Sequence, residues 1–139
     1  MLLWWGIMRS VFALLLLLLT ASTGIAQDSR LSPDAYETYT RGYTIVFQQD
    51  GQIIGAEQYL SDRQVVWTFV DGNCTRGEWY VRNGAICFAY ENSSDDPCWY
   101  ADLVEGGLRV SFAQNPQIQQ FEKYKSTQPI QCANTYLGS

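Results

Sequence analysis

Strict alternation of apolar and polar residues, which begins at Tyr43 and recurs along most of the remaining chain, limits the possible folds more than any other feature. Three runs place an apolar side chain at every second position, over residues 43–48, 65–70 and 108–112. Successive side chains of a strand point to opposite faces of a sheet, so this pattern is typical of strands with one buried face. The runs are separated by turn-forming pairs such as Asp50-Gly51. The sequence therefore predicts a mainly β domain, an antiparallel meander of about seven or eight strands that forms a small barrel or half-barrel.

A short N-terminal helix is expected before the first strand. Ser32 suits the N-cap, Pro33 suits the first helical position, and Gly42 ends the helix about two turns later. The polar residues 27–31 predict a loose arm before it. Residues 116–125 carry apolar side chains three apart, a spacing that fits a turn of helix as well as an irregular eighth strand, so both remain open for this segment.

The first 26 residues have the order of a secretory signal peptide. Arg9 precedes an unbroken apolar stretch from Val11 to Leu19, and small residues ending at Ala26 follow it. The stretch is well short of the roughly 20 residues that a bilayer span requires, which argues against an uncleaved anchor. Either Met1 or Met8 can serve as the start codon. The sequence predicts a periplasmic or secreted protein, cleaved after about Ala26, with no stable membrane anchor.

The expected mature chain, residues 27–139, is small and acidic. Its 113 residues fit a single β-rich domain, and its 14 acidic and 8 basic side chains give a net charge of −6. A chain with this charge and no basic stripe is repelled by phosphate groups. Nucleic acids and anionic membrane surfaces are therefore excluded as expected partners.

The segment GEWYVRNGAICFAY predicts a β-hairpin that places one cysteine on the outside of the sheet. With a two-residue type I′ turn at Asn83-Gly84, Tyr80 lies opposite Cys87. One face of this hairpin then carries the larger apolar side chains, namely Trp79, Val81, Ile86, Phe88 and Tyr90. Cys87 belongs to the other face, away from the core, where it is expected to be bonded.

Four cysteines in an exported chain predict two disulfides. Cys98 is the expected partner of Cys87, although a four-residue turn would place it diagonally, about 7 to 8 Å away, and a bulge or another loop length would be needed. By subtraction, Cys74 would pair with Cys132. The chain has no C-x-x-C motif and no histidine, which argues against a zinc site.

The candidates for catalysis are few. Without histidine, neither a Ser-His-Asp nor a Cys-His arrangement can form. Asp95 and Asp96 with Glu91, or Asp102 with Glu105, are conceivable carboxylate pairs, but carboxylates in such loops usually cap turns. The loop ENSSDDP also lacks the regular acidic spacing of a calcium loop. We therefore expect no enzymatic activity, no cofactor and no metal.

Aromatic residues concentrate in the central strands and support two interpretations. The pattern directs four of them inward, Trp67, Trp79, Phe88 and Trp99, where they either fill the core or line a ligand pocket. Tyr80 and Tyr100 are expected on the outer face beside the Cys87–Cys98 bridge. Exposed tyrosines beside a rigid bridge suit contact with a protein.

The hairpin and the PCWY segment after it resemble an uncharacterised family of small exported proteins of Gram-negative bacteria. The shared pattern is G-x-W, C-F and C-W, which corresponds here to Gly77, Trp79, Cys87, Phe88, Cys98 and Trp99. The resemblance implies a periplasmic β-rich domain of unknown function. It implies no catalytic residue.

Together these features favour an exported, non-enzymatic, disulfide-braced barrel that binds a protein partner in the cell envelope. An inhibitor-like role would suit its acidity, since an acidic domain attracts a basic target. The alternative is a carrier of a small apolar or aromatic ligand in the barrel interior. The oligomeric state is left open.

Overall fold

The computed structural model describes residues 29–133, so the expected signal peptide, residues 1–26, lies outside the described residues. Helix α1 spans Pro33–Thr40 and precedes eight strands: β1 (Thr44–Gln49), β2 (Gln52–Tyr59), β3 (Gln64–Phe69), β4 (Cys74–Arg82), β5 (Ala85–Tyr90), β6 (Cys98–Val104), β7 (Gly107–Phe112) and β8 (Asn115–Ser126). Within the described range, no helix has the length and apolar character needed to cross a membrane.

The eight strands form a closed antiparallel barrel. Each strand pairs with the next along the chain, and β8 returns to pair with β1. This confirms the predicted mainly β meander with a short N-terminal helix, in its closed form. The segment 116–125, which the sequence left open, is part of β8. Closure leaves neither β1 nor β8 as a free sheet edge.

The β4–β5 hairpin has the register expected from its sequence. Tyr80 lies opposite Cys87, and Trp79 lies opposite Phe88. Asn83 and Gly84 both have positive φ values, 50° and 77°, as a type I′ turn requires. Trp79 and Phe88 are buried inside the barrel.

Helix α1 closes one end of the barrel. The Ser32 hydroxyl accepts a hydrogen bond from the Ala35 amide at 3.1 Å, which confirms Ser32 as the N-cap. Tyr36 is 1 % exposed, and its ring packs edge-on against the rings of Tyr59 and Trp79. The helix is therefore held by the aromatic core beneath it.

The segment before the helix is paired, so the expectation of a loose arm is wrong for residues 29–31. The Leu31 amide donates to the Ala101 carbonyl, and the Leu103 amide donates to the Ser29 carbonyl, both at 2.9 Å. The cause lies in the neighbouring strands: β5 and β6 pair at only two positions, so the remaining edge of β6 is available to another segment. Residues 29–31 occupy that edge.

Two disulfides brace the barrel, Cys87–Cys98 and Cys74–Cys132, which are the pairs that the sequence favoured. Cys98 lies directly opposite Cys87, with the Cα atoms 4.0 Å apart, so the diagonal placement was wrong. The reason is the connection between β5 and β6, which uses all of residues 91–97 instead of a four-residue turn. The second disulfide fastens the segment after β8 to the start of β4.

Candidate ligand-binding cavity

The barrel encloses a cavity of about 390 Å³. Three of the four aromatic residues expected to face inward, Trp67, Phe88 and Trp99, line it. The fourth, Trp79, is 3 % exposed and packs against Tyr36 in the core next to helix α1. The interior is thus divided into a packed part under the helix and an open part beyond it, which we call the central cavity.

The wall of the central cavity is mainly aromatic. Its aromatic members are Tyr36, Phe47, Tyr59, Trp67, Phe69, Phe88, Tyr90 and Trp99. Neighbouring rings support one another: Phe88 and Tyr90 stack with an interplanar angle of 8°, and Trp67 meets Phe69 edge-on at 5.7 Å between centroids. Such a wall favours an apolar or aromatic ligand.

Two glycines make room for the aromatic wall. A Cβ atom at Gly55 would lie 2.5 Å from Trp67 Cζ2, and one at Gly77 would lie 2.8 Å from Tyr90 Cδ1. No side chain can occupy that space while both rings keep their positions. Gly55 in β2 therefore allows the Trp67 indole to lie across the strand, and Gly77 in β4 does the same for Tyr90.

A single carboxyl group, that of Glu57, lies within this wall. Glu57 is 2 % exposed, and the Tyr90 hydroxyl donates to its two oxygens at 2.9 and 3.1 Å. Burial raises the pKa of Glu57 to about 8, and the hydrogen bond from Tyr90 offsets part of this rise. Among residues 29–133, no arginine or lysine forms an ion pair with it.

Sequence reasoning missed Glu57. Its strand, β2, carries glycine and glutamate at the inward positions 55 and 57, so it lacks the apolar alternation that marked the other strands. The one available signal was Glu57 itself, an isolated acidic residue between Ala56 and Tyr59. Without the neighbouring strands, that signal does not show that the side chain points inward.

Two more tyrosines complete the buried end of the central cavity. The hydroxyls of Tyr36 and Tyr59 are 2.8 Å apart and share a hydrogen bond. Desolvation raises the pKa of both, and the nearby Glu57 adds to the rise. Both hydroxyls therefore stay neutral near pH 7, when they can act as hydrogen-bond donors and acceptors for a ligand.

The opposite end of the central cavity is open to solvent. Phe69, at the end of β3, is 53 % exposed, and Asn92 and Ser93 of the exposed β5–β6 loop complete the rim. The Thr75 hydroxyl donates to the Asn92 side-chain carbonyl at 2.9 Å, which ties this loop to β4. A ligand therefore has a route to the interior at this end.

The two outward tyrosines lie apart from the cavity. Tyr80 and Tyr100 flank the Cys87–Cys98 bridge on the outer face and are half-buried. The Tyr80 hydroxyl donates to Asp96 at 2.7 Å and accepts from Arg82 at 2.7 Å, while the guanidinium of Arg30 lies 4.5 Å from the Tyr100 ring centre. Both tyrosines already have partners within the chain.

The carboxylates considered for catalysis do not form a common site. Asp102 is 5 % exposed and pairs with Arg30 at 3.3 Å and Arg109 at 3.6 Å, on the outer side of β6. Asp96 accepts the hydrogen bond from Tyr80. Over the part of the chain that the structure describes, no three potential ligands are grouped as a metal ion would require.

The fold and site define the protein as a small, disulfide-bonded, eight-stranded barrel with an aromatic cavity open at one end. Comparisons with models of known protein families, with curated proteins and with solved structures find no match to this chain. Its function is therefore argued from the cavity itself.

Proposed function

We propose that the protein is a carrier that binds a small apolar or aromatic molecule in the central cavity. The observation that carries this proposal is the cavity of about 390 Å³, walled by aromatic rings and open at one end. Ligand sites are typically concave spaces of about 300 to 1,000 Å³ with an apolar lining and a few polar groups. An eight-stranded barrel is wide enough to hold one small ligand.

The polar groups support binding of one oriented molecule. Glu57, Tyr59 and Tyr36 lie at the buried end, whereas the middle of the wall is apolar. An amphipathic ligand would enter with its polar end first and leave its apolar body against Trp67 and Phe88. The two disulfides are compatible with a role outside the cytoplasm, where such carriers meet their ligands.

Binding of a protein partner stays a prediction. It drew on Tyr80 and Tyr100, and both rings contact arginine side chains of the same chain, which leaves less of their surface for a partner. The acidity of the chain favours a basic partner but indicates no particular surface for it. The cavity offers the more specific basis for a function.

Titration of the oxidised protein, residues 27–139, with N-phenyl-1-naphthylamine tests the carrier proposal. This neutral aromatic probe fluoresces more strongly in apolar surroundings, and we expect saturable binding of one molecule per chain. Val110→Phe narrows the central cavity and should weaken binding by at least about tenfold. Val70→Phe is the matched control, because Val70 is 75 % exposed and lies outside the cavity wall.

Two outcomes would overturn the carrier proposal. One is the absence of saturable binding by the natural chain. The other is equal affinity in Val110→Phe and Val70→Phe, which would place the probe on the outer surface.

A further inference from the structure

We infer that the central cavity selects a ligand with an aromatic or alkyl body and one protonated amine, and that the ammonium group pairs with the Glu57 carboxylate. This inference rests on the proposed function, because it names the ligand class of the same cavity. It follows from the position of one buried acidic group among aromatic rings.

Glu57 is the only cavity-lining residue, among those that the structure describes, that can carry a charge near neutral pH. Its side chain is almost fully buried, and its one hydrogen-bonding partner there is the Tyr90 hydroxyl. Burying a carboxylate without a cation is costly, so such groups are normally paired or protonated. In the empty cavity protonation of Glu57 avoids this cost, and a ligand that brings its own cation allows the carboxylate to form.

The residues around Glu57 are suited to an ammonium group. Trp67 lies directly opposite Glu57 on β3, and Tyr59 lies two positions along the same face of β2. The negative face of an aromatic ring attracts cations, most strongly for tryptophan, and the attraction is larger where water is excluded. A carboxylate beside such rings binds the charge, and the rings contact the carbon atoms next to it.

The titratable neighbours of Glu57 cannot compete for the charge. They are Tyr90 on β5, Tyr59 on β2 and Tyr36 on helix α1, and burial raises the pKa of all three. The residues opposite Glu57 on β1 and β3, Ile45 and Trp67, do not titrate. Recognition of charge in the cavity is therefore assigned to Glu57.

Amine binding is coupled to release of a proton. With a pKa raised to about 8, Glu57 is mostly protonated at pH 7 in the empty cavity. Pairing with an ammonium group requires the carboxylate, so each binding event releases one proton from Glu57. Well below pH 8 the amine affinity should then rise by about tenfold for each pH unit, and the rise should flatten as the pH approaches 8. A neutral ligand should show no such rise.

A matched set of three ligands tests the inference: 2-(1-naphthyl)ethylamine, 2-(1-naphthyl)ethanol and 1-naphthylacetate. Calorimetry at pH 6 and pH 8, in buffers with different ionisation enthalpies, reports both affinity and proton release. At pH 8 we expect the amine to bind at least about tenfold more tightly than the alcohol, and the carboxylate to bind most weakly. In Glu57→Gln the tighter binding of the amine relative to the alcohol should disappear, so that the ratio of the two affinities falls to about one.

Several results would overturn the inference. Equal affinities for amine and alcohol at pH 8 in the natural chain would do so, as would an amine preference that survives in Glu57→Gln. If that variant does not fold, an amine affinity that is the same at pH 6 and pH 8 in the natural chain is equally decisive. If the carrier proposal holds, N-phenyl-1-naphthylamine still binds in the central cavity in each of these cases. Both proposals are overturned together if that probe does not bind, or if it binds Val110→Phe and Val70→Phe equally.

Discussion

At the scale of the residue, the buried Glu57 carboxyl conflicts with the stability of the fold. It occupies an inward position between Ile45 and Trp67, where an apolar side chain would be stable without a partner. Its burial raises its pKa to about 8, so folding favours the protonated form. A residue that costs stability at such a position is typical of a functional site.

Glu57→Gln should remove a pH dependence of stability. The pKa of Glu57 is 4.5 in the unfolded chain and about 8 in the folded chain. Between pH 4.5 and about pH 8 the folded chain therefore keeps a proton that the unfolded chain releases. This group favours folding at low pH, and its contribution is lost as the pH rises through that window. We expect the variant and the natural chain to unfold with similar free energies near pH 4. At pH 8 the variant should be more stable by about 2 to 4 kcal/mol.

Urea denaturation at pH 4, 6 and 8 measures this difference. Glu78→Gln is the matched control, because Glu78 lies on the exposed side of β4, so the same chemical change is made outside the cavity wall. A constant difference between Glu57→Gln and the natural chain would contradict the assignment of a raised pKa to Glu57.

At the scale of the element, the sequence predicted the strand meander well and the inward polar position in β2 not at all. The β4–β5 hairpin was predicted down to its register because the Asn83-Gly84 turn and the alternating apolar residues agree. The role of Glu57 in strand β2 was missed because Gly55 and Glu57 stand at inward positions, where they serve the cavity and interrupt the apolar alternation. The cavity depends on side chains from several strands, and no local pattern reports how completely they fill the space between them.

Gly55→Ala should test the close approach of β2 and β3. The new methyl group would meet Trp67 and the Thr68 carbonyl, so the two strands must separate locally, at a cost of about 3 kcal/mol. Gly51→Ala is a useful control, because a Cβ atom at this turn position meets open space. Only the positive φ of 78° disfavours alanine there, which should lower the free energy of unfolding by about 1 kcal/mol. Urea midpoints measure both, and near-ultraviolet circular dichroism reports movement of Trp67. Equal losses in the two variants would contradict the close packing at Gly55.

The two disulfides should stabilise different elements. Cys74–Cys132 joins residues 58 apart in the sequence, and Cys87–Cys98 joins residues 11 apart. From the entropy of the unfolded chain, replacing the first pair by alanine should lower the free energy of unfolding by about 4 kcal/mol, and replacing the second by about 3 kcal/mol. Hydrogen exchange distinguishes the local effects. Loss of the first pair should expose the amide of Ala133, which bonds to the Gly72 carbonyl, and loss of the second should expose that of Phe88, which bonds to the Pro97 carbonyl. The same exchange pattern in both variants would contradict this division.

At the scale of the whole molecule, closure of the barrel and the helix across one end determine how a ligand reaches Glu57. The strands leave no free edge between β1 and β8, and Tyr36 fills the space under helix α1. The rim formed by Phe69 and the β5–β6 loop is the open end of the cavity. The molecule therefore has an apolar route that leads from solvent to a buried polar end.

Phe69→Ala should widen that route without removing the site. Phe69 is half-exposed and meets Trp67 edge-on at the rim, so its loss should speed both association and dissociation of N-phenyl-1-naphthylamine several-fold, while the Kd changes by less than about threefold. Stopped-flow fluorescence measures the two rates. Val70→Ala, at the adjacent exposed position outside the wall, should leave both unchanged. A faster dissociation alone would contradict an entrance at this rim, because it would show that Phe69 contacts the probe without limiting its entry.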